Sequence, residues 1–349
     1  VYRMNPWRWA GRGLDNALSF PAFFNPRWAR LIRNAVKASR ADLIIVRDLP
    51  LCPTAVAVGR SESVPVLLDM AENYPAMMRA LWDTGRESLT DYAVRNPAIT
   101  AWIERRCVRA VDHIVVVVEE SAARVMQLDV PQQKITIVSN TPPLDRLASA
   151  DRTVQARRSL DLVYMGNLEV VRGLLETVEA VGLLRDAGTN VHLRVIGRGR
   201  DEALIRERCS QLGLDDSTIK FLGYIASHSE ALQIVANSDV GLIPHRKNDS
   251  WDTTIPNKLF DYMAAGVPVV SSDAAPCARI VLETGAGRVF RSGDAQDIAA
   301  AILEVSQPGP AARFATAGRQ AVAERYNWEY DTKILLRAVE ETARQSGTN

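Results

Sequence analysis

The chain has 349 residues, 47% hydrophobic and 24% charged, with 42 Lys and Arg set against 41 Asp and Glu. That is enough apolar material for two ordinary globular domains, and the near-neutral balance gives no electrostatic case for nucleic-acid binding, so an anionic ligand must be met by local charges. The four cysteines, Cys52, Cys107, Cys209 and Cys277, form no Cys-x-x-Cys pair, which points to reduced thiols and a cytoplasmic protein.

No stretch approaches the ~20 apolar residues of a spanning helix. Residues 1–39 begin at Val1 without Met and lack the order of a signal peptide. A segment before Val1 is expected, because a doubly wound domain normally opens with a buried strand and a glycine turn, and neither is visible. The opening segment mixes Trp7, Arg8, Trp9, Arg12, Phe20, Phe23, Phe24, Arg27, Trp28, Arg30 and Arg33. Interfacial binding to an anionic membrane and filling of a domain core both fit that mixture.

From about residue 41 short apolar runs alternate with helical periodicity. Strands are expected at 43–46, 64–68, 113–118 and 135–138, and helices at 98–111 and 121–127. Continuous apolar runs mark strands buried on both faces of a parallel sheet, so this is a βαβ pattern. Residues 144–159 are polar and charged and read as a linker. The alternation restarts with strands at 160–165, 191–196, 219–222, 240–243 and 267–270. Helices are expected at 173–186, 202–212, 229–236, 256–265 and 295–306. Three parts follow: residues 1–150, residues 151–330 and a carboxy-terminal helix in 331–349. Two such domains facing across a cleft would bind ligand beyond the carboxyl ends of their strands.

Three segments carry chemistry. At Tyr164-Met165-Gly166-Asn167 through Arg172-Gly173 a strand runs into a glycine turn and a basic residue at a helix start, which suits a phosphate or an ordinary solvated βα loop. Ile196-Gly197-Arg198-Gly199 lacks the third glycine of a dinucleotide fingerprint, since residue 202 is Glu202. In the third, His245 lies in a polar loop, Pro256 suits a first helical turn, and Lys258 and Asp261 share a helix face. They form either a surface ion pair or a diphosphate-and-ribose contact. His113, His192 and His228 have no second ligand at metal spacing, and no Asp-x-Asp pair occurs, so no metal and no other cofactor is expected.

The order Tyr-Met-Gly-Asn-Leu…Arg-Gly, Ile-Gly-Arg-Gly, Lys-Phe-Leu-Gly-Tyr and Pro-Asn-Lys-Leu-Phe-Asp-Tyr-Met-Ala-Ala-Gly-Val-Pro-Val-Val resembles the donor-binding domain of the family-4 retaining glycosyltransferases. It covers about residues 160–300, with weaker likeness at 66–75 and 134–140. The resemblance implies a GT-B fold of two doubly wound domains. It also implies transfer of a hexosyl group from a nucleoside-diphosphate sugar, with retention, to a saccharide or lipid-linked acceptor of cell-surface polysaccharide or glycolipid synthesis. By position, Arg172 and Lys258 would stabilise the departing diphosphate. Gly166, Asn167, Gly173, Gly197, Tyr224, His245, Thr253, Asn257 and Asp261 would line the donor, with Asp261 on the ribose. Asp69 and Glu72 would serve the acceptor. Residues 285–287 resemble a following family segment.

The chain departs from the family pattern at three places. Asn167 replaces the usual arginine, Thr253 stands where the first glutamate of an acidic pair belongs, and no histidine occurs in 67–75. A nucleotide-sugar epimerase of the same shape, or an inactive binding homologue, are the alternatives. Localisation is expected to be cytoplasmic, with peripheral contact at the inner face of the plasma membrane.

Overall fold

The computed structural model describes residues 23–82, 96–145 and 159–344. They form two compact units, residues 1–139 with 332–349, and residues 140–331.

In the first unit the described elements run α1 (Pro26–Ser39), β1 (Ile44–Arg47), α2 (Cys52–Glu62), β2 (Val66–Met70), α3 (Tyr74–Trp82), α4 (Pro97–Ala110), β3 (His113–Val116), α5 (Glu119–Met126) and β4 (Ile135–Ile137). The four strands are parallel and pair in chain order. Leu67, Leu68, Ile114 and Val116 are fully buried, as continuous apolar runs require of a sheet covered on both faces. Of the opening aromatics that are described, Phe23 packs against this core while Phe24 stands exposed; Trp7, Trp9 and Phe20 lie outside the described residues.

The second unit contains β5 (Leu160–Met165), α6 (Leu174–Asp186), β6 (Val191–Ile196), α7 (Glu202–Gln211), β7 (Ile219–Gly223), α8 (His228–Ala236), β8 (Val240–Ile243), α9 (Lys258–Ala264), β9 (Val269–Ser272), α10 (Ala275–Thr284), β10 (Gly287–Phe290), α11 (Ala295–Ser306) and α12 (Pro308–Glu324). Its parallel sheet has the order β10-β9-β8-β5-β6-β7. The chain therefore builds outward from β5 in one direction, returns, and builds outward in the other. The reversal lies between β5 and β8, and at such a switch point the crossovers diverge and leave a crevice at the strands' carboxyl ends.

One face of this sheet is covered by α6, α7 and α11, whose Leu174, Val178, Val181, Ile205, Ile298 and Ile302 join the strand residues Leu162, Leu193 and Leu242 in one apolar core. Full burial of each such side chain contributes about 1.5–3 kcal/mol. Every residue of α9 is buried, and the helix packs on β8, β9 and α12. A helix buried on all sides is held in place by its surroundings, so a side chain on it is aimed with little freedom.

A last helix, α13 (Trp328–Arg344), begins with the Trp328 N–H donating to the Pro142 carbonyl at 2.9 Å. Further on, Ile334, Leu335 and Val339 pack against Leu67, Val115 and Val138. From Thr332 onward the helix belongs to the first unit. No helix among the described residues is long and apolar enough to cross a membrane.

Candidate functional site

The carboxyl ends of β5, β6 and β8 meet at the switch point. Gly166, the first residue after β5, has φ of +147° and donates its N–H to the Ile196 carbonyl at 2.9 Å. A Cβ there would stand 2.8 Å from the Lys258 Nζ, so the glycine leaves the space that the lysine head occupies. Gly173, with φ of +70°, lies where a Cβ would sit 1.7 Å from the Pro244 carbonyl oxygen. The start of α6 is therefore pressed against the loop that follows β8.

On this frame stand three nitrogen-bearing side chains. Lys258, at the start of α9, is 6% exposed. Its Nζ lies 4.0 Å from the centroid of the Tyr164 ring and has no hydrogen-bond partner. Burial first, then the Arg172 charge, pushes its pKa well below the ordinary value; Cys277 acts weakly in the opposite sense. His245 is 1% exposed and stacks on Trp251, with centroids 4.0 Å apart and planes 11° from parallel. Neither of its ring nitrogens has a partner. Burial, then Lys258 and Arg172, lowers its pKa well below the usual range, so the imidazole is neutral and retains one donor and one acceptor. Arg172 closes the 3₁₀ turn Val170–Arg172, pairs with Glu169 at 3.2 Å, and places its guanidinium carbon 4.9 Å from the Trp251 ring centroid.

The aromatic parts are themselves anchored. Tyr164 donates its hydroxyl to the Asn167 carbonyl at 2.7 Å, and the Tyr262 hydroxyl accepts from the Met165 N–H at 3.0 Å. Trp251 opens the 3₁₀ turn Trp251–Thr253, and its N–H and that of the preceding Ser250 donate to the Asn248 side-chain oxygen at 3.0 and 2.9 Å. Asp252 accepts from the Ala275 N–H at 2.9 Å and ties the loop to α10.

The structure thus brings together Gly166, Arg172, Gly173, His245 and Lys258. It also corrects one expectation: Lys258 and Asp261 are both buried, which removes the surface ion-pair alternative. Asp261 lies 3.8 Å from the His228 Nε2. Thr253 directs its hydroxyl to the Asp249 carbonyl at 2.8 Å, within its own loop. Asn167 and Asn257 are exposed, Gly197 directly follows β6, and Tyr224, beyond β7, is 70% exposed. Asp69 and Glu72 belong to the first unit. Arg47 reaches Asp69 at 2.5 Å, while burial, then Asp48 and Glu72, pushes the Tyr74 hydroxyl up to about 12.

Sequence reasoning missed Trp251 and Tyr164. A lone tryptophan in the otherwise polar 245–254 loop was the available signal for the first. Tyr164 reads as one more apolar strand residue, and only the packed structure shows the cation above its face.

A buried amine without a hydrogen-bond partner, a neutral buried imidazole and a half-buried guanidinium at a switch point form a site with donors in excess of acceptors. Its complement is an anion with several oxygens, such as a diphosphate.

Comparison with known proteins gives the same direction. Residues 159–307 match the model described as "Glycosyl transferases group 1" and residues 2–141 the "Glycosyl transferase 4-like domain". The putative colanic acid biosynthesis glycosyltransferase WcaL of Salmonella typhimurium is 28% identical over 59% of this chain and 51% of its own length. The phosphatidyl-myo-inositol mannosyltransferase of Mycobacterium leprae is 27% identical over 65% of this chain and 58% of its own. The chain therefore spans little more than half the length of these relatives. In fold, sucrose-phosphate synthase of Thermosynechococcus elongatus aligns with TM-score 0.73 at 16% identity, over 100% of this chain and 83% of its own. The Anabaena HepE protein in complex with UDP aligns with TM-score 0.69 at 15% identity, over 90% and 82%. With one model on each unit and GT-B neighbours in structure, the chain belongs to the group 1, family-4 type glycosyltransferases.

Proposed function

We propose that the chain transfers a sugar, with retention of configuration, from a nucleoside-diphosphate donor bound by the second unit to an acceptor in polysaccharide or glycolipid synthesis. The observation that carries this reading is the Lys258 Nζ, buried and without a partner at the carboxyl end of β5. A buried donor left unpaired costs about 1–3 kcal/mol, and a site that retains one has a use for it. HepE, similar in fold, holds UDP or UDP-glucose in its structures, which supports a nucleoside-diphosphate sugar.

In this reading Arg172, Lys258 and the N–H groups at the start of α6 face the diphosphate. Asp261 accepts from ribose hydroxyls, Gly197 and Tyr224 flank the base, and His245, Asn167, Thr253 and Asn257 border the rest of the donor. The bond from the anomeric carbon to the diphosphate oxygen breaks with its electron pair going to the diphosphate. The acceptor oxygen bonds to that carbon on the face the diphosphate leaves and passes its proton to the departing diphosphate oxygen. Charge accumulates on the leaving group, so the two cations bind the transition state more tightly than the ground state. Asp69 and Glu72 are the proposed acceptor contacts. Because cationic side chains face the leaving group, turnover is proposed not to need a metal. The chain is further proposed to work in the cytoplasm with peripheral membrane contact.

The test is a thermal-shift panel of nucleoside diphosphates. A ligand that binds only the folded state raises its melting temperature, by an amount equivalent to about 2.7 kcal/mol at a hundredfold excess over Kd. At least one diphosphate is expected to do so and the matching nucleoside to do so far less; a panel without any shift contradicts the reading.

A further inference from the structure

Helix α4 starts at Asn96, whose side chain accepts from the N–H groups of Ala98 and Ile99. Its inward residues, Thr100, Ile103, Glu104, Cys107 and Val108, follow the spacing of a single buried stripe. The opposite side should then be polar. It is not: Ile99 is 43% exposed and Trp102 52% exposed.

The same outward side carries Arg105, Arg106 and Arg109, all exposed. Arg106 places its guanidinium carbon 4.4 Å from the Trp102 ring centroid. Arg109 donates to the Leu128 carbonyl at 2.9 Å and pairs with Asp129, while Arg105 has no ion-pair partner among the described residues. The helix's only carboxylate, Glu104, is turned inward, 2% exposed, and gripped by both terminal nitrogens of Arg124 at 2.8 and 2.9 Å. The outward face therefore combines a tryptophan and an isoleucine with three arginines, of which one is answered by a carboxylate among the described residues.

Single exposed apolar residues on a soluble protein need no explanation. Here the two large apolar groups are three residues apart and share a face with cations. That combination suits the boundary of an anionic bilayer, where an indole sits at headgroup level and arginines meet lipid phosphates. A nucleic-acid surface would use the cations but not Ile99, and the chain's net charge of +1 supplies no broader attraction.

We propose that the solvent face of α4, formed by Ile99, Trp102, Arg105, Arg106 and Arg109, docks the protein on an anionic phospholipid bilayer. This rests on the peripheral-membrane part of the proposed function and assigns it to named residues of α4.

The experiment is flotation of the full chain with phosphatidylcholine vesicles, with and without phosphatidylglycerol. Binding is expected only with phosphatidylglycerol and is expected to weaken as salt rises. Each of Arg105→Gln and Arg106→Gln should lower partitioning about fivefold, the effect of one cation near such a surface. Trp102→Gln should lower it further through lost insertion. All three side chains are exposed, so melting temperature and nucleoside-diphosphate affinity should stay at the unmodified values. Failure of the unmodified chain to float overturns the proposal together with the peripheral reading. Equal flotation of the three variants overturns α4 as the surface and leaves that reading standing. Equal binding to pure phosphatidylcholine overturns the charge argument, and a dimer that Trp102→Gln dissociates, without vesicle binding, makes the face a protein interface instead.

Discussion

Lys258→Met removes an ammonium while keeping an unbranched stem of similar length, so it separates what the amine binds from what the stem packs against. In the free protein Nζ is buried without a hydrogen-bond partner, and the Tyr164 ring offsets part of its lost hydration. An unpaired buried donor costs about 1–3 kcal/mol, so the methionine variant should melt at the same temperature or a few degrees higher. Bound diphosphate reverses the sign. A charge-assisted contact contributes about 1.5–3 kcal/mol, and its loss should lower diphosphate affinity and kcat/KM by about 10- to 150-fold.

The pH dependence supplies a second signature. Burial and Arg172 hold the folded-state pKa of Lys258 below the ordinary 10.5, so the unfolded chain binds the proton more tightly. The penalty is complete below the lowered folded value and is relieved as pH rises from there toward 10.5. The free protein should gain stability across that window, and Lys258→Met should remove that part of the slope. Melting curves with and without nucleoside diphosphate, over a pH series, read all of this. A methionine variant that melts lower while keeping diphosphate affinity would refute the argument and make the amine structural.

Four further outcomes are expected. Arg172→Ala should lose at least tenfold in kcat/KM with little change in melting temperature, because the guanidinium contacts the Trp251 face and Glu169 at a half-buried site. Asp261→Asn should weaken nucleoside binding several-fold, since an amide accepts through only one oxygen, and isothermal titration with nucleoside against nucleoside diphosphate measures the ribose share. Gly166→Ala places a Cβ 2.8 Å from Nζ at a φ of +147°, so it should cost about 1–3 kcal/mol in denaturant unfolding and displace the lysine. Turnover in excess chelator should match turnover without it; complete loss restored by added metal would contradict the proposed metal independence.

Much of the second unit is legible from periodicity. The strands at 160–165, 191–196 and 240–243 and the helix at 295–306 stand where continuous apolar runs and 3.6-residue spacing put them. β10 escapes that reading because Gly-Arg-Val-Phe is short and carries the exposed Arg288 at the sheet's edge. α10 and α12 escape it because Pro276 and Pro308 look like loop punctuation, whereas each occupies a first helical turn. Pro256 invites the opposite error: α9 begins two residues later, at Lys258.

At the site, the lysine, arginine and histidine could be nominated from motif positions. Their relation could not. The packing of Lys258 on Tyr164 and of Arg172 on Trp251 joins residues far apart in the chain, and the stacking of His245 on Trp251 depends on how their shared loop folds, so no local pattern encodes these contacts. Helix α4 shows the same limit: its extent is readable, but the outward direction of Ile99 and Trp102 depends on which side the sheet and its helices cover.

The central claim is that Lys258 and Arg172 together receive the diphosphate of the donor. The most direct measurement is a crystal structure of the chain soaked with the nucleoside diphosphate that gives the largest thermal shift. Diphosphate oxygens within about 3 Å of the Lys258 Nζ and of the Arg172 guanidinium are the expected result. A diphosphate bound elsewhere, with Lys258 still buried against Tyr164 and without an anionic partner, would contradict it.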